Sequence, residues 1–199
     1  GDDSLFRNNG DGSFTDVARQ MGVATHDHIV TGVWGDVNND GLPDLYIVGY
    51  VNGKPGTPDY LYINKGDYFE NQIPDNVMAN DTDHGVQFAD YDQDGDLDLS
   101  LAANDPSGSH YLFRNDLVDN RSESIQVLVL NKDGHQVMAG SEVRVSRAGS
   151  DELLGARLVD TGSGYNSQNS KPVHIATLGA EYSDIEGATM TRQGRKLPY

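Results

Sequence analysis

Short apolar runs rich in Val, Ile, Leu, Tyr and Phe recur along the chain, broken every few residues by Asn-Gly, Asp-Gly and Pro. Runs of that length with those breakers predict strands joined by tight turns rather than helices. The predicted strands cover residues 30–34, 45–51, 60–63, 85–89, 97–102 and 110–114, with a helical turn or two at 16–21. After residue 120 apolar and polar positions alternate with period two. The pattern predicts further strands at 125–130, 142–146 and 156–159, with a turn at 131–134. The fold class expected is therefore all-β, ending in a small β-sandwich-like unit.

The pattern also repeats. Gly32-Val-Trp-Gly-Asp36-Val-Asn-Asn-Asp40-Gly-Leu-Pro-Asp44-Leu-Tyr-Ile returns 54 residues later as Val86-Gln-Phe-Ala-Asp90-Tyr-Asp-Gln-Asp94-Gly-Asp-Leu-Asp98-Leu-Ser-Leu. A second phrase runs Leu5-Phe-Arg-Asn8, Leu61-Tyr-Ile-Asn64 and Leu112-Phe-Arg-Asn115, at spacings of 56 and 51. One period shared by two phrases means one structural unit, and a period of roughly 50 residues suits the blade of a β-propeller.

Charge divides the chain as the strand pattern does. The first 120 residues carry 22 Asp and Glu against 5 Lys and Arg, and the remainder carries nine of each. A domain border is expected at the polar stretch 119–122, giving units 1–120 and 121–199. The acidic half lacks the basic surface that phosphates require, so nucleic acid is excluded as a partner. Multivalent cations suit it better. The chain has no cysteine, which excludes disulfides, thiolate metal sites and thiol nucleophiles. No apolar run is long enough for a transmembrane segment.

The acidic repeats have the spacing of calcium loops. Oxygen side chains stand at loop positions 1, 3, 5 and 9 with Gly at 6: Asp36, Asn38, Asp40, Gly41 and Asp44, then Asp90, Asp92, Asp94, Gly95 and Asp98. A hard cation that wants six to eight oxygens is wrapped when alternate residues turn inward, and the carbonyl at position 7, from Leu42 or Asp96, adds a ligand. The Asp96 side chain is then expected to point outward. An EF-hand would need a bidentate Glu at position 12, where Ile47 and Leu101 stand inside strand-like runs, so that reading is rejected. Two structural Ca2+ sites are the expectation. The stretch 8–12 reads as an ordinary hairpin turn, and His26, Asp27, His28 and His84 read as solvated polar residues. Trp34 and Phe88, at matching places before the two loops, read as core residues holding each blade to its neighbour.

The loops, the strand after each and the Leu-aromatic-x-Asn phrase resemble FG-GAP/VCBS repeats of integrin-like β-propellers, over about residues 1–118. Farther on, Ala139-Gly-Ser-Glu-Val-Arg-Val145, Gly162-Ser-Gly-Tyr-Asn-Ser-Gln168 and Val173-His-Ile-Ala-Thr-Leu-Gly179 resemble the ASPIC/UnbV domain known from the cartilage acidic protein family and from many bacterial secreted proteins. The resemblance implies a partial propeller of about two blades followed by the ASPIC/UnbV-like domain. It also implies calcium in the loops, a secreted, extracellular or periplasmic setting, and a non-catalytic recognition or adhesion role with a protein or glycan ligand. Such propellers close with about seven blades, so the chain is expected to be the C-terminal piece of a longer protein.

Enzyme chemistry finds little purchase. Leu158-Val-Asp160-Thr161-Gly162-Ser163 matches the aspartic-protease phrase, but that chemistry needs two carboxylates sharing a proton and there is no second Asp-Thr-Gly. Ser163 and His174 lack a Gly-x-Ser-x-Gly elbow, and no Walker or dinucleotide fingerprint occurs. The chain is therefore expected not to be an enzyme. The alternative is that it forms the scaffold of a secreted hydrolase whose catalytic domain lies upstream.

Overall fold

The computed structural model describes residues 3–49, 57–78, 83–103, 109–116, 123–136, 139–160, 162–165, 167–168, 172–181, 183–190 and 196–197. The expected border at 119–122, the end of the strand expected at 45–51, Thr161 and Asn166 lie outside these residues.

The described residues are nearly all-β, with two single-turn helices among them. They open with a hairpin of β1 (Phe6–Asn8) and β2 (Phe14–Asp16) and a short helix α1 (Ala18–Met21), which Gly22 ends in the left-handed conformation. A four-stranded antiparallel sheet follows, made of β3 (Ile29–Gly35), β4 (Asp44–Gly49), β5 (Tyr60–Asn64) and β6 (Phe69–Asn71) in spatial order. After α2 (Asp75–Met78) comes a second antiparallel sheet, β7 (Asp83–Ala89), β8 (Asp98–Ala103) and β9 (His110–Phe113). The two sheets repeat one register: Gly35 pairs with Asp44 and Trp34 with Leu45, as Ala89 pairs with Asp98 and Phe88 with Leu99. Consecutive antiparallel sheets packed face to face in this way are blades of a partial propeller.

Burial explains the strand composition. Every residue of β4 is buried, because Tyr46 and Val48 face the second sheet while Leu45 and Ile47 face α1 and Val23. A strand covered on both sides reads as an unbroken apolar run. Between the sheets lies the main core, with Val33, Tyr46, Val48 and Ile63 on one side and Val86, Phe88 and Leu101 on the other. Just before β5, a buried Asp59 accepts bonds from the Tyr46 hydroxyl at 2.8 Å and the Gly49 amide at 2.9 Å, which satisfies a carboxylate that would otherwise be costly there.

The remaining strands form two further sheets. Strand β10 (Ser124–Val127) pairs with β13 (Val173–Ala176), while β12 (Leu153–Leu158), β11 (Ser141–Arg147), β14 (Ser183–Met190) and β15 (Lys196–Leu197) form the other in that spatial order. Inward positions Val143 and Val145 meet Leu154, Val173 and Ile175 in a separate small core. The layers close tightly where Gly155 leaves room for Ile175, since a Cβ there would stand 2.7 Å from its methyl group.

Candidate metal centre

Each acidic loop connects the first two strands of a sheet, β3 to β4 and β7 to β8. The two loops have one geometry. Asp36 Oδ1 and Oδ2 accept from the amides of Asp40 and Gly41 at 3.1 and 2.9 Å, and Asp90 accepts from Asp94 and Gly95 at 3.1 and 3.1 Å. Loop position 4 is left-handed in both, at Asn39 (φ 56°) and Gln93 (φ 61°), as is the glycine at position 6. Those reversals curl each loop back on itself, and in the second loop they bring the carboxylates of positions 1, 3 and 9 together.

The repeated Asn serves the loop from behind. Asp44 accepts from the amides of Val37 (2.9 Å) and Asn64 (2.8 Å), and Asp98 likewise from Tyr91 (3.0 Å) and Asn115 (2.8 Å). The side chain of Asn64 donates to Pro43 O and that of Asn115 to Leu97 O, both at 3.0 Å. Asn115 also donates to Val37 O at 2.7 Å, so the second blade's Asn holds the first blade's loop. The matching Asn8 stands exposed in the β1–β2 hairpin, where Asn8 and Asp11 accept from amides two residues on. The stretch 8–12 is a turn.

In the second loop, ligand oxygens of Asp90, Asp92 and Asp98 all lie within 4.8 Å of one another, the one such group among the described residues. In the first loop Asn38 takes the place of Asp92 and donates to Asp40 at 2.9 Å. Asp36 and Asp44 are buried, and burial pushes both carboxyls up to about 6 against the opposing pull of the loop amides. Burial also raises Asp98. A carboxylate accepts about four bonds, so those committed to amides retain lone pairs for a cation. Hard, anionic, oxygen-only donors crowded at that spacing fit a divalent ion such as Ca2+ and repel one another without it. His26, Asp27 and His28 form no comparable group, and Asp27 instead accepts from the Tyr60 hydroxyl.

Residues 1–47 and 36–100 match FG-GAP-like repeats. The chain belongs to that family. FG-GAP repeats are typical of extracellular proteins, generally bind protein partners and often bind calcium. Among curated proteins none matches the chain. No helix among the described residues is long and apolar enough to cross a membrane.

Three expectations need correction. The Asp96 side chain does not point outward, being fully buried. Its neighbour Gly95 accepts from Asn39 of the first loop and from the Ser124 hydroxyl of β10, so this turn of the second FG-GAP loop is wedged between two other parts of the chain. Phe88 is a core residue, but Trp34 is 45% exposed. Phe88 lies over Gly35 of the blade before it, whereas Trp34, at the same register position, faces the other side of the first sheet and meets Phe69 with ring centroids 6.2 Å apart. His84 is no solvated loop residue, for it sits half-buried in β7 with its ring 5.8 Å from that of Tyr165.

Between β3 and strands β12–β13 opens a cleft of about 680 Å3, lined by Trp34, Phe88, Leu158 and Val173 with Arg157, Asp160, Ser163 and His174. Asp160 there accepts from the Ser163 hydroxyl. Burial drives the His174 imidazole down to about 4, so the ring is neutral. The part played by Asn39, His174 and Gln126 at the loops had no signal in the sequence. Asn39 is a non-ligand position of its own loop, and Gln126 and His174 come from strands β10 and β13, far along the chain.

Proposed function

We propose that the protein is a calcium-binding extracellular recognition or adhesion module in which calcium is structural. The observation that carries this reading is the crowding of the Asp90, Asp92 and Asp98 carboxylates within 4.8 Å, since like charges so placed need a counter-ion. Asp36, Asn38, Asp40 and Asp44, with the Leu42 carbonyl, would hold one ion. Asp90, Asp92, Asp94 and Asp98, with the Asp96 carbonyl, would hold the other. Bound calcium supplies positive charge that offsets the carboxylate repulsion. The chain's own contribution is to orient those carboxylates, through the amides at positions 5 and 6 and the clamps of Asn64 and Asn115.

We read residues 121–199 as an ASPIC/UnbV-like β domain, supported by the three phrases that carry the resemblance and by the two-sheet core around Val143 and Ile175. The exposed Trp34 supports a further blade upstream, because its counterpart Phe88 packs on the preceding blade. The partner is a protein or a glycan, and the chain itself is not catalytic.

Thermal unfolding in EGTA and in millimolar calcium tests the proposal, alongside the double variant Asp40→Ala/Asp94→Ala. A ligand bound only by the folded state adds about 2.7 kcal/mol per site at a hundredfold excess over Kd. The midpoint is expected to rise with calcium in the wild type and to stay put in the variant. A folded wild type indifferent to calcium overturns the proposal.

A further inference from the structure

The strands after residue 120 meet the propeller blades at the acidic loops. Gln126 of β10 donates to Asp90 Oδ2 at 2.6 Å, and the Ser124 hydroxyl donates to Gly95 O. From β13, His174 Nε2 lies 2.7 Å from Asn39 Oδ1. Because the Asn39 amide nitrogen already donates to Gly95 O at 3.1 Å, its oxygen is the acceptor and His174 is the donor. Asn39 thus ties the first loop, the second loop and β13 together, although it is not at a ligand position. Both Asn39 and His174 are buried.

One more contact lands on the same loops. Leu178, in the turn after β13, packs on Gly41, where a Cβ would stand 3.2 Å from its methyl carbon. Leu178 is itself left-handed, with φ 51°. A bulky non-glycine residue persists in that region only when surrounding contacts hold it there, and such strain gathers at binding surfaces and switches.

We infer that the two loops are also the seat on which the C-terminal β module docks, so that calcium occupancy and docking of that module are one coupled equilibrium with Asn39 as its latch. The inference rests on the calcium reading above. Without the ion, repulsion among the loop carboxylates displaces the Gly95 carbonyl and the Asn39 side chain, the two points that receive β10 and β13. With the ion they are fixed in place. Coupling is reciprocal: whatever the ion contributes to docking, docking returns as calcium affinity, so a residue that touches no ion still sets how tightly the ion is held. Asn39 and Gln126 are positioning residues in this scheme.

The test uses the whole chain and two readouts, calcium affinity by titration calorimetry and amide hydrogen exchange resolved to segments. The variants are Asn39→Gly, which keeps the positive φ and removes the side chain, and Gln126→Ala, which acts from the other side of the contact. In the wild type, calcium is expected to slow exchange in 124–127 and 173–176 together with the loops. Each variant is expected to lose that remote protection and to bind calcium about fivefold or more weakly, the low end of usual coupling. If calcium binds and protects the loops while exchange in 124–127 and 173–176 is unchanged, the coupling is refuted and the calcium reading stands. Full wild-type affinity in both variants refutes it equally. Absence of any calcium binding removes both readings.

Discussion

Replacing Asn115 by Ala separates a clamp from a turn former. The side chain is buried and donates to two carbonyls, Val37 O at 2.7 Å in the first blade and Leu97 O at 3.0 Å in the second. Its backbone amide, which binds Asp98, survives the substitution. A lost hydrogen bond costs about 1 kcal/mol, and a buried acceptor left unsatisfied raises that to roughly 1–3 kcal/mol. Two such acceptors give a destabilisation of about 3 kcal/mol, or roughly 6–12 °C in Tm for a chain of this size. The equivalent Asn64 is only half-buried and holds one carbonyl, Pro43 O, so Asn64→Ala is expected to cost about 1 kcal/mol. Asn8 is exposed and serves only its own turn, so Asn8→Ala is expected to cost under about 0.5 kcal/mol. Urea unfolding of the three variants at fixed calcium reads the order directly. Equal losses at the three positions, or a loss at Asn8 as large as that at Asn115, would refute the clamp, because each Asn would then be acting only in its own turn.

Other consequences follow from the packing and the charges. Gly35→Ala places a Cβ 2.7 Å from Phe88 and 3.0 Å from Leu97, and overpacking of that kind is expected to cost about 1–3 kcal/mol in thermal unfolding. Tyr46→Phe removes the hydroxyl that donates to buried Asp59, with an expected loss of about 1.5–3 kcal/mol in chemical unfolding. In metal-free protein, Asp36 and Asp44 hold their protons to about pH 6, whereas the unfolded chain releases them near pH 4. The folded state therefore binds more protons in that window, so these two groups' contribution to stability is greatest below about pH 4 and is lost as pH rises through about 6. Tm measured from pH 4.5 to 7.5 is expected to fall in metal-free buffer and to fall less, or rise, in calcium, which competes with the protons.

Much of this architecture was legible in the sequence wherever a physical constraint is local. The 54-residue echo, the Asp-Gly turns and the Val- and Ile-rich runs placed β3–β5 and β7–β9 because strand and loop must alternate within one blade. Alternation likewise found β11, whose Val143 and Val145 face inward while Glu142, Arg144 and Ser146 between and beside them are less buried. It could not find β13, which is buried at all four positions and carries a histidine inside. The three-residue strands β1, β2 and β6 are too short to show any period. Trp34 and Phe88 look equivalent in sequence and occupy the same register, yet their burial differs because it depends on which blade lies on each side. Asp96 misled for a similar reason, since the chain segments enclosing its loop come from residues 39 and 124.

Calorimetric titration of calcium into the metal-free protein tests the central claim most directly, with Asp36→Ala and Asp90→Ala as single variants and together. The account predicts two ions per chain in the wild type, one in each single variant and none in the pair. A folded wild type that takes up no calcium, or a double variant that still takes up two ions, would contradict it.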